Sequence, residues 1–105
     1  MEFPTYFKFF APLHYWEEFE DEDYVNDLQR QYDAMPDVFW YVQEKFAEDF
    51  WVISSCNKSE GKMMFDNIWE ARYYALLLSK DPDNLYGDEE EIETRTMKFT
   101  KSKLK

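Results

Sequence analysis

The residue types that could perform chemistry are few in this chain, and their spacing decides which reactions remain open. Nucleophilic catalysis needs a nucleophile beside a base and an orienting group. Cys56 and His14 are the single Cys and the single His, 42 positions apart. Nothing in that spacing brings them together, so each reads as an ordinary packed or surface residue. A lone Cys also excludes an internal disulfide and a Cys-based zinc site. Residues 81–88, Asp-Pro-Asp-Asn-Leu-Tyr-Gly-Asp, superficially resemble a calcium loop. An EF-hand needs an oxygen ligand at its fifth position and glycine at its sixth, where this segment has Leu85 and Tyr86. It reads instead as a helix stop followed by a turn. Only Gly61 and Gly87 occur, which leaves no Gly-rich phosphate loop. Paired carboxylates of the glycosidase kind need a deep cleft, which a chain of 105 residues rarely builds. The expectation is a protein that is not an enzyme and holds neither metal nor cofactor.

The acids carry the stronger signal. Six of the seven residues from 17 to 23 are acidic, namely Glu17, Glu18, Glu20, Asp21, Glu22 and Asp23. Wound as a helix at about 1.5 Å per residue they present one charge per roughly 1.75 Å. Duplex DNA presents one per about 1.7 Å. A second set follows at Asp88, Glu89, Glu90, Glu91 and Glu93. Such a surface can occupy the basic groove of a protein that normally holds nucleic acid, with its charge steering the encounter.

The full chain carries 12 basic and 23 acidic residues, a formal charge of −11. Residues 94–105 contain five basic residues and no acid, so residues 1–93 hold 7 basic against 23 acidic, a charge of −16. This body would repel nucleic acid and compete for proteins that bind it. Aromatic residues are the second excess: 4 Trp, 8 Tyr and 10 Phe are more rings than a core of this size can enclose. Trp16 and Trp40 are therefore grouped with the carboxylates as candidate binding residues, and Trp51 is divided between core edge and interface. No apolar run is long enough for a membrane span, and the N-terminus lacks the basic region of a signal peptide. With one Cys, a reducing cytoplasmic setting is expected.

In composition the chain is similar to small phage-encoded inhibitors of host defence, among them DNA-mimicking anti-restriction and anti-CRISPR proteins. The similarity covers no motif and carries no residue over. It implies a non-enzymatic inhibitor that binds the basic site of a host nucleic-acid-processing or defence enzyme. The alternative is an adaptor or assembly subunit that meets a protein partner through exposed aromatic surface.

The elements that must position these residues follow from periodicity. Residues 5–10 read as an edge strand after Pro4. Residues 24–35 place Val25, Leu28, Tyr32 and Met35 on one helical stripe, with Asp23 as its cap. Pro36 ends that helix and opens another over 37–48, with Val38, Phe39, Val42 and Phe46 inward and Trp40 toward the outside. Residues 50–55 and 62–66 read as an antiparallel hairpin. A helix over 67–80, capped at Asp66 or Asn67, turns Ile68, Ala71, Ala75 and Leu78 inward. Residues 92–99 form a last strand whose imperfect alternation fits a bulge or an edge position. The expected fold is α+β, a small antiparallel sheet of about four strands packed by two to three helices. All of it lies in a single domain over residues 1–105, with a basic tail at about 100–105 that reads either as a flexible solubilising end or as an arm for the acidic body of a second copy. Open strand edges make a homodimer an expectation as well.

Overall fold

A computed structural model describes residues 3–80 and 93–104. The fold is a small α+β arrangement in which helices pack on a four-stranded antiparallel sheet. Strand β1, Val38–Ala47, is its axis. Strand β2, Phe50–Ile53, returns along one edge of β1, and strand β3, Met64–Phe65, lies farther along that same edge. Strand β4, Thr94–Thr100, runs along the opposite edge, from Val38 paired with Thr100 to Glu44 paired with Thr94.

The expected helix over 37–48 is thus a strand. Val38, Val42 and Phe46 do recur every four residues, but the segment is rich in β-branched and aromatic side chains, which fit a pleated surface. Alternation decides the outcome: Phe39, Tyr41 and Gln43 face one side of the sheet, while Trp40, Val42 and Glu44 face the other. Both faces receive a packed layer, so apolar residues stand at consecutive positions and imitate a helical stripe.

The expected hairpin between 50–55 and 62–66 does not form either. The two segments are successive parts of one interrupted edge, with Ile53 opposite Gln43 and Met64 opposite Tyr41. The chain leaves the sheet between them. Gln31 holds this excursion to the helical layer, donating to the Gly61 carbonyl at 2.9 Å and accepting from the Met63 amide at 2.8 Å. Residues 5–10 form a 3-10 turn, Thr5–Phe9, rather than a strand. Its buried rings, Phe7 and Phe10, are three residues apart, the spacing of such a turn, and the alternating set expected for a strand is not the buried one. Of the two accounts of the last strand's imperfect alternation, the edge position fits, since β4 pairs with β1 alone among the described residues and in unbroken register, and the register shift lies in β1 between Lys45 and Ala47.

Helix α1, Leu13–Glu17, and helix α2, Glu22–Ala34, complete the layer to which Phe39, Tyr41 and Phe99 belong. Val25 and Leu28 of α2 are buried there, as their spacing predicts. The N-cap is Asp21 rather than Asp23, since the Asp21 carboxylate accepts from the Tyr24 amide at 3.1 Å. Helix α3, Ile68–Ser79, covers the other face: Ala71, Ala75 and Leu78 pack with Val42, Phe65 and Cys56. Asn67 caps it as expected, accepting from the Trp69 amide at 2.8 Å.

The basic end forms a 3-10 turn over Lys101–Leu104 that is bonded to the body. Lys101 Nζ donates to the carbonyls of Tyr32 and Met35 at 2.7 and 2.6 Å, and the Ser102 amide donates to Asp37 Oδ1 at 2.8 Å. The last carbonyls of a helix have no partner within it, and a cation meets both their hydrogen-bonding need and the negative end of the dipole.

Candidate functional site

The acidic run is a corner between two helices. Glu17 ends α1, Glu18 is its C-cap, Asp21 caps α2, and Glu22 and Asp23 occupy the first turn of α2. All six carboxylates of the run are exposed, and among the described residues none of them enters an ion pair. Because the chain bends between α1 and α2, the run does not keep the helical charge spacing that would match a duplex. Three of the acids have a structural use: Asp21 satisfies an amide, and Glu22 and Asp23 offset the positive end of the helix. Glu17 and Glu18 lie at the wrong end of α1 for that purpose, and Glu20 lies between the helices.

The aromatic rings beside this corner point into the protein. Tyr15, Phe19 and Tyr24 form a chain of ring contacts, with centroids at 5.4 Å and 5.2 Å. Trp16 is removed from the candidate binding set by its burial. Its indole Nε1 donates to the carbonyls of Phe7 at 2.9 Å and Ala11 at 3.2 Å, and its ring packs on Phe3, Phe7 and Phe19. Trp40 is half-buried and packs against the cluster under α3. Trp51 is half-buried too, with the Arg95 guanidinium 4.2 Å from its ring centre. Of the second acidic set, Glu93 is exposed with its Oε2 3.4 Å from Lys45 Nζ, while Asp88, Glu89, Glu90 and Glu91 lie outside the described residues.

The most exposed tryptophan is one that the spacing arguments passed over. Trp69 is 70% exposed on α3, and Tyr73 and Leu76 on the same side of that helix are 57% and 54% exposed. Steps of four and three residues make these three a continuous outer stripe. Arg72 lies over the Trp69 ring at 5.2 Å. The inner stripe of Ala71, Ala75 and Leu78 was readable from the sequence, and the outer one had a signal as well. Nine of the twelve residues of α3 are apolar or aromatic, whereas a helix with one wet face normally shows a polar side.

Elsewhere the chemistry-bearing residues stay apart. Cys56 is buried near Val42, Phe65 and Ala71, and His14 stacks edge-on against Phe50 at 5.0 Å. No group of metal-ligating side chains forms among the described residues, and no helix among them is long and apolar enough to cross a membrane. The sequence matches no protein-family model, and neither curated proteins nor solved structures yield a similar chain.

Glu44 bears on stability. Burial holds its carboxyl above the usual carboxylate range, and a hydrogen bond with Ser54 partly counters this. A folded-state value above the unfolded one gives stability that is present at low pH and lost as pH rises through the folded value. Ionised Glu44 is therefore a cost at neutral pH. Glu44→Gln should raise the melting temperature at pH 7 relative to wild type and leave it nearly unchanged at pH 4. Melting curves followed by circular dichroism check this, and equal shifts at both pH values would contradict it.

Proposed function

We propose that this chain is a non-enzymatic acidic protein that binds a basic protein partner, with the outer face of α3 as its anchor. The observation behind this reading is the exposed stripe of Trp69, Tyr73 and Leu76 on a body of charge −16. Trp and Tyr are the side chains that most often dominate binding energy when an interface covers them, and the stripe offers a few hundred Å² of such surface. Charge adds encounter rate and partner choice more than affinity. A protein that handles nucleic acid combines a basic groove with apolar hollows for bases, so it suits both features. An inhibitor of a host nucleic-acid-processing or defence enzyme is the role in keeping with this chemistry.

A second reading has the acidic corner itself stand in for nucleic acid. It is favoured by the exposure of the carboxylates of Glu17, Glu18 and Glu20, which make no capping bond and no ion pair among the described residues.

One experiment separates the two. The partner retained from a cell lysate by the wild-type protein is purified and titrated with two variants, Trp69→Ala with Tyr73→Ala, and Glu17→Gln with Glu18→Gln and Glu20→Gln. Anchoring by α3 predicts that the aromatic variant loses the partner and the corner variant keeps most of its affinity. Mimicry by the corner predicts the reverse, with affinity collapsing as salt rises. A partner bound equally by both variants would remove both readings.

A further inference from the structure

Against its acidic body, the protein has one basic margin. Strand β4 carries the exposed Lys98, and the chain continues through Lys101 to the exposed Lys103, whereas Arg95 is turned back over the sheet, donating to Gln43 Oε1 at 2.8 Å beside the Trp51 ring. Among the described residues β4 pairs with β1 alone, and no other described strand lies along its outer edge. The turn and helices that cover Phe39 and Tyr41 stop short of this margin. Between Phe9 and β4 they leave a groove of about 490 Å³ with Tyr41, Met97 and Phe99 in its walls and Lys98 and Lys103 at its rim. Phe9 is 42% exposed and stands edge-on to Phe99 with ring centres 5.5 Å apart. Its place is fixed from below, because Tyr41 Oη donates to the Phe9 carbonyl at 2.7 Å.

We infer that the β4 edge, with this groove beside it, binds an extended acidic segment of a partner protein as an added strand. Main-chain bonds to an open edge supply affinity without regard to sequence, and pockets beside the edge select alternate side chains. Here the selection has two parts. An apolar side chain of the segment enters the groove beside the Phe9–Phe99 ring contact, against Met97. Carboxylates on the alternate positions meet Lys98 and Lys103.

A second copy of this chain is a poor occupant. Antiparallel pairing of two β4 edges about their middle would bring the Lys98 side chains of both copies near one another on one face, and like charges across a strand pair are destabilising. The acidic corner of another copy is no better suited, since Asp21, Glu22 and Asp23 are committed to the cap and first turn of α2 and present no extended backbone. The occupant is therefore a different protein with an acidic, alternating segment. Repulsion from the rest of the body does not prevent this, because charges more than about 8 Å away are largely screened at physiological salt. Together with the α3 stripe, such an edge would let one small chain bridge a basic and an acidic partner.

The test uses the whole protein at physiological ionic strength and three probes. These are a short peptide alternating glutamate with isoleucine, a peptide of the same length and charge with proline in place of its central isoleucine, and octanoate. The alternating peptide should bind with a dissociation constant in the range of about 10 to 100 µM. It should shift the backbone amide resonances of residues 94–100 together with those of Phe9 and Lys103. Lys98→Glu with Lys103→Glu should weaken it about tenfold or more. The proline peptide should bind far more weakly, because it cannot complete the ladder. Equal binding of the two peptides would reduce the effect to net charge and overturn the strand addition. Binding of octanoate without the alternating peptide would make the groove a small-anion site and overturn it as well. Resonance shifts confined to other residues would do the same.

Discussion

Replacing Trp69 and Tyr73 together by Ala should weaken the complex with the partner about 100-fold or more and leave the fold essentially as stable as before. The asymmetry follows from where the rings stand. Their outer surfaces lie in water in the free protein, so truncating them removes little packing, and surface changes of this kind usually cost within about 0.5 kcal/mol. In a complex the same rings would be desolvated. Single anchors of this type are worth about 2 kcal/mol or more, and two of them exceed the roughly 2.7 kcal/mol that corresponds to 100-fold. Leu76→Ala should act in the same direction with a smaller effect. Titration calorimetry gives the loss, and a urea melt of the same variant confirms an unchanged fold. A wild-type affinity in the doubly substituted protein would show that the outer face of α3 is not the anchor.

Trp16→Ala should do the opposite, removing stability instead of a contact. Burial of the whole indole means that truncation leaves a large void, and such changes cost about 3 to 5 kcal/mol. The lost N–H adds to this, since the carbonyls of Phe7 and Ala11 both accept from it. Against a typical total of about 5 to 15 kcal/mol, that is enough to leave much of the chain unfolded at body temperature. Trp16→Phe isolates the hydrogen bonds, because it keeps an apolar ring, and should cost about 1 to 3 kcal/mol. Urea denaturation measures both. A loss below about 1 kcal/mol for Trp16→Ala would mean that the aromatic core tolerates a void there. Any loss of binding by this variant reports unfolding and says nothing about an interface.

The residues legible in advance are those whose local signals agreed with their tertiary use. In α3 the inward spacing of Ala71, Ala75 and Leu78 coincided with a good cap at Asn67, so period and end supported one another, and in α2 the spacing of Val25 and Leu28 held although the cap is Asp21 and not Asp23. Residues 38–47 show the contrary case. A strand buried on both faces loses its alternation in the sequence, and the remaining every-fourth pattern is then misleading. The order of pairing was equally hidden. Nothing between Ile53 and Met64 marks an excursion, because that detour is held by Gln31, which is far away in the chain.

The candidate sites divide along the same line. Charge is additive along a chain, so the separation into an acidic body and a basic end could be counted from the residues, as could the excess of rings. Exposure is not additive, because it depends on what another segment covers. Trp16 and Trp69 are identical side chains in similarly aromatic surroundings, yet the first is roofed by residues 3–19 and the second is left on the outer side of α3. The open edge of β4 and the groove at Phe9 arise from the same cause. They exist because β1 lies between its neighbours and the helical layer ends before the margin, and both are consequences of contacts between residues distant in sequence.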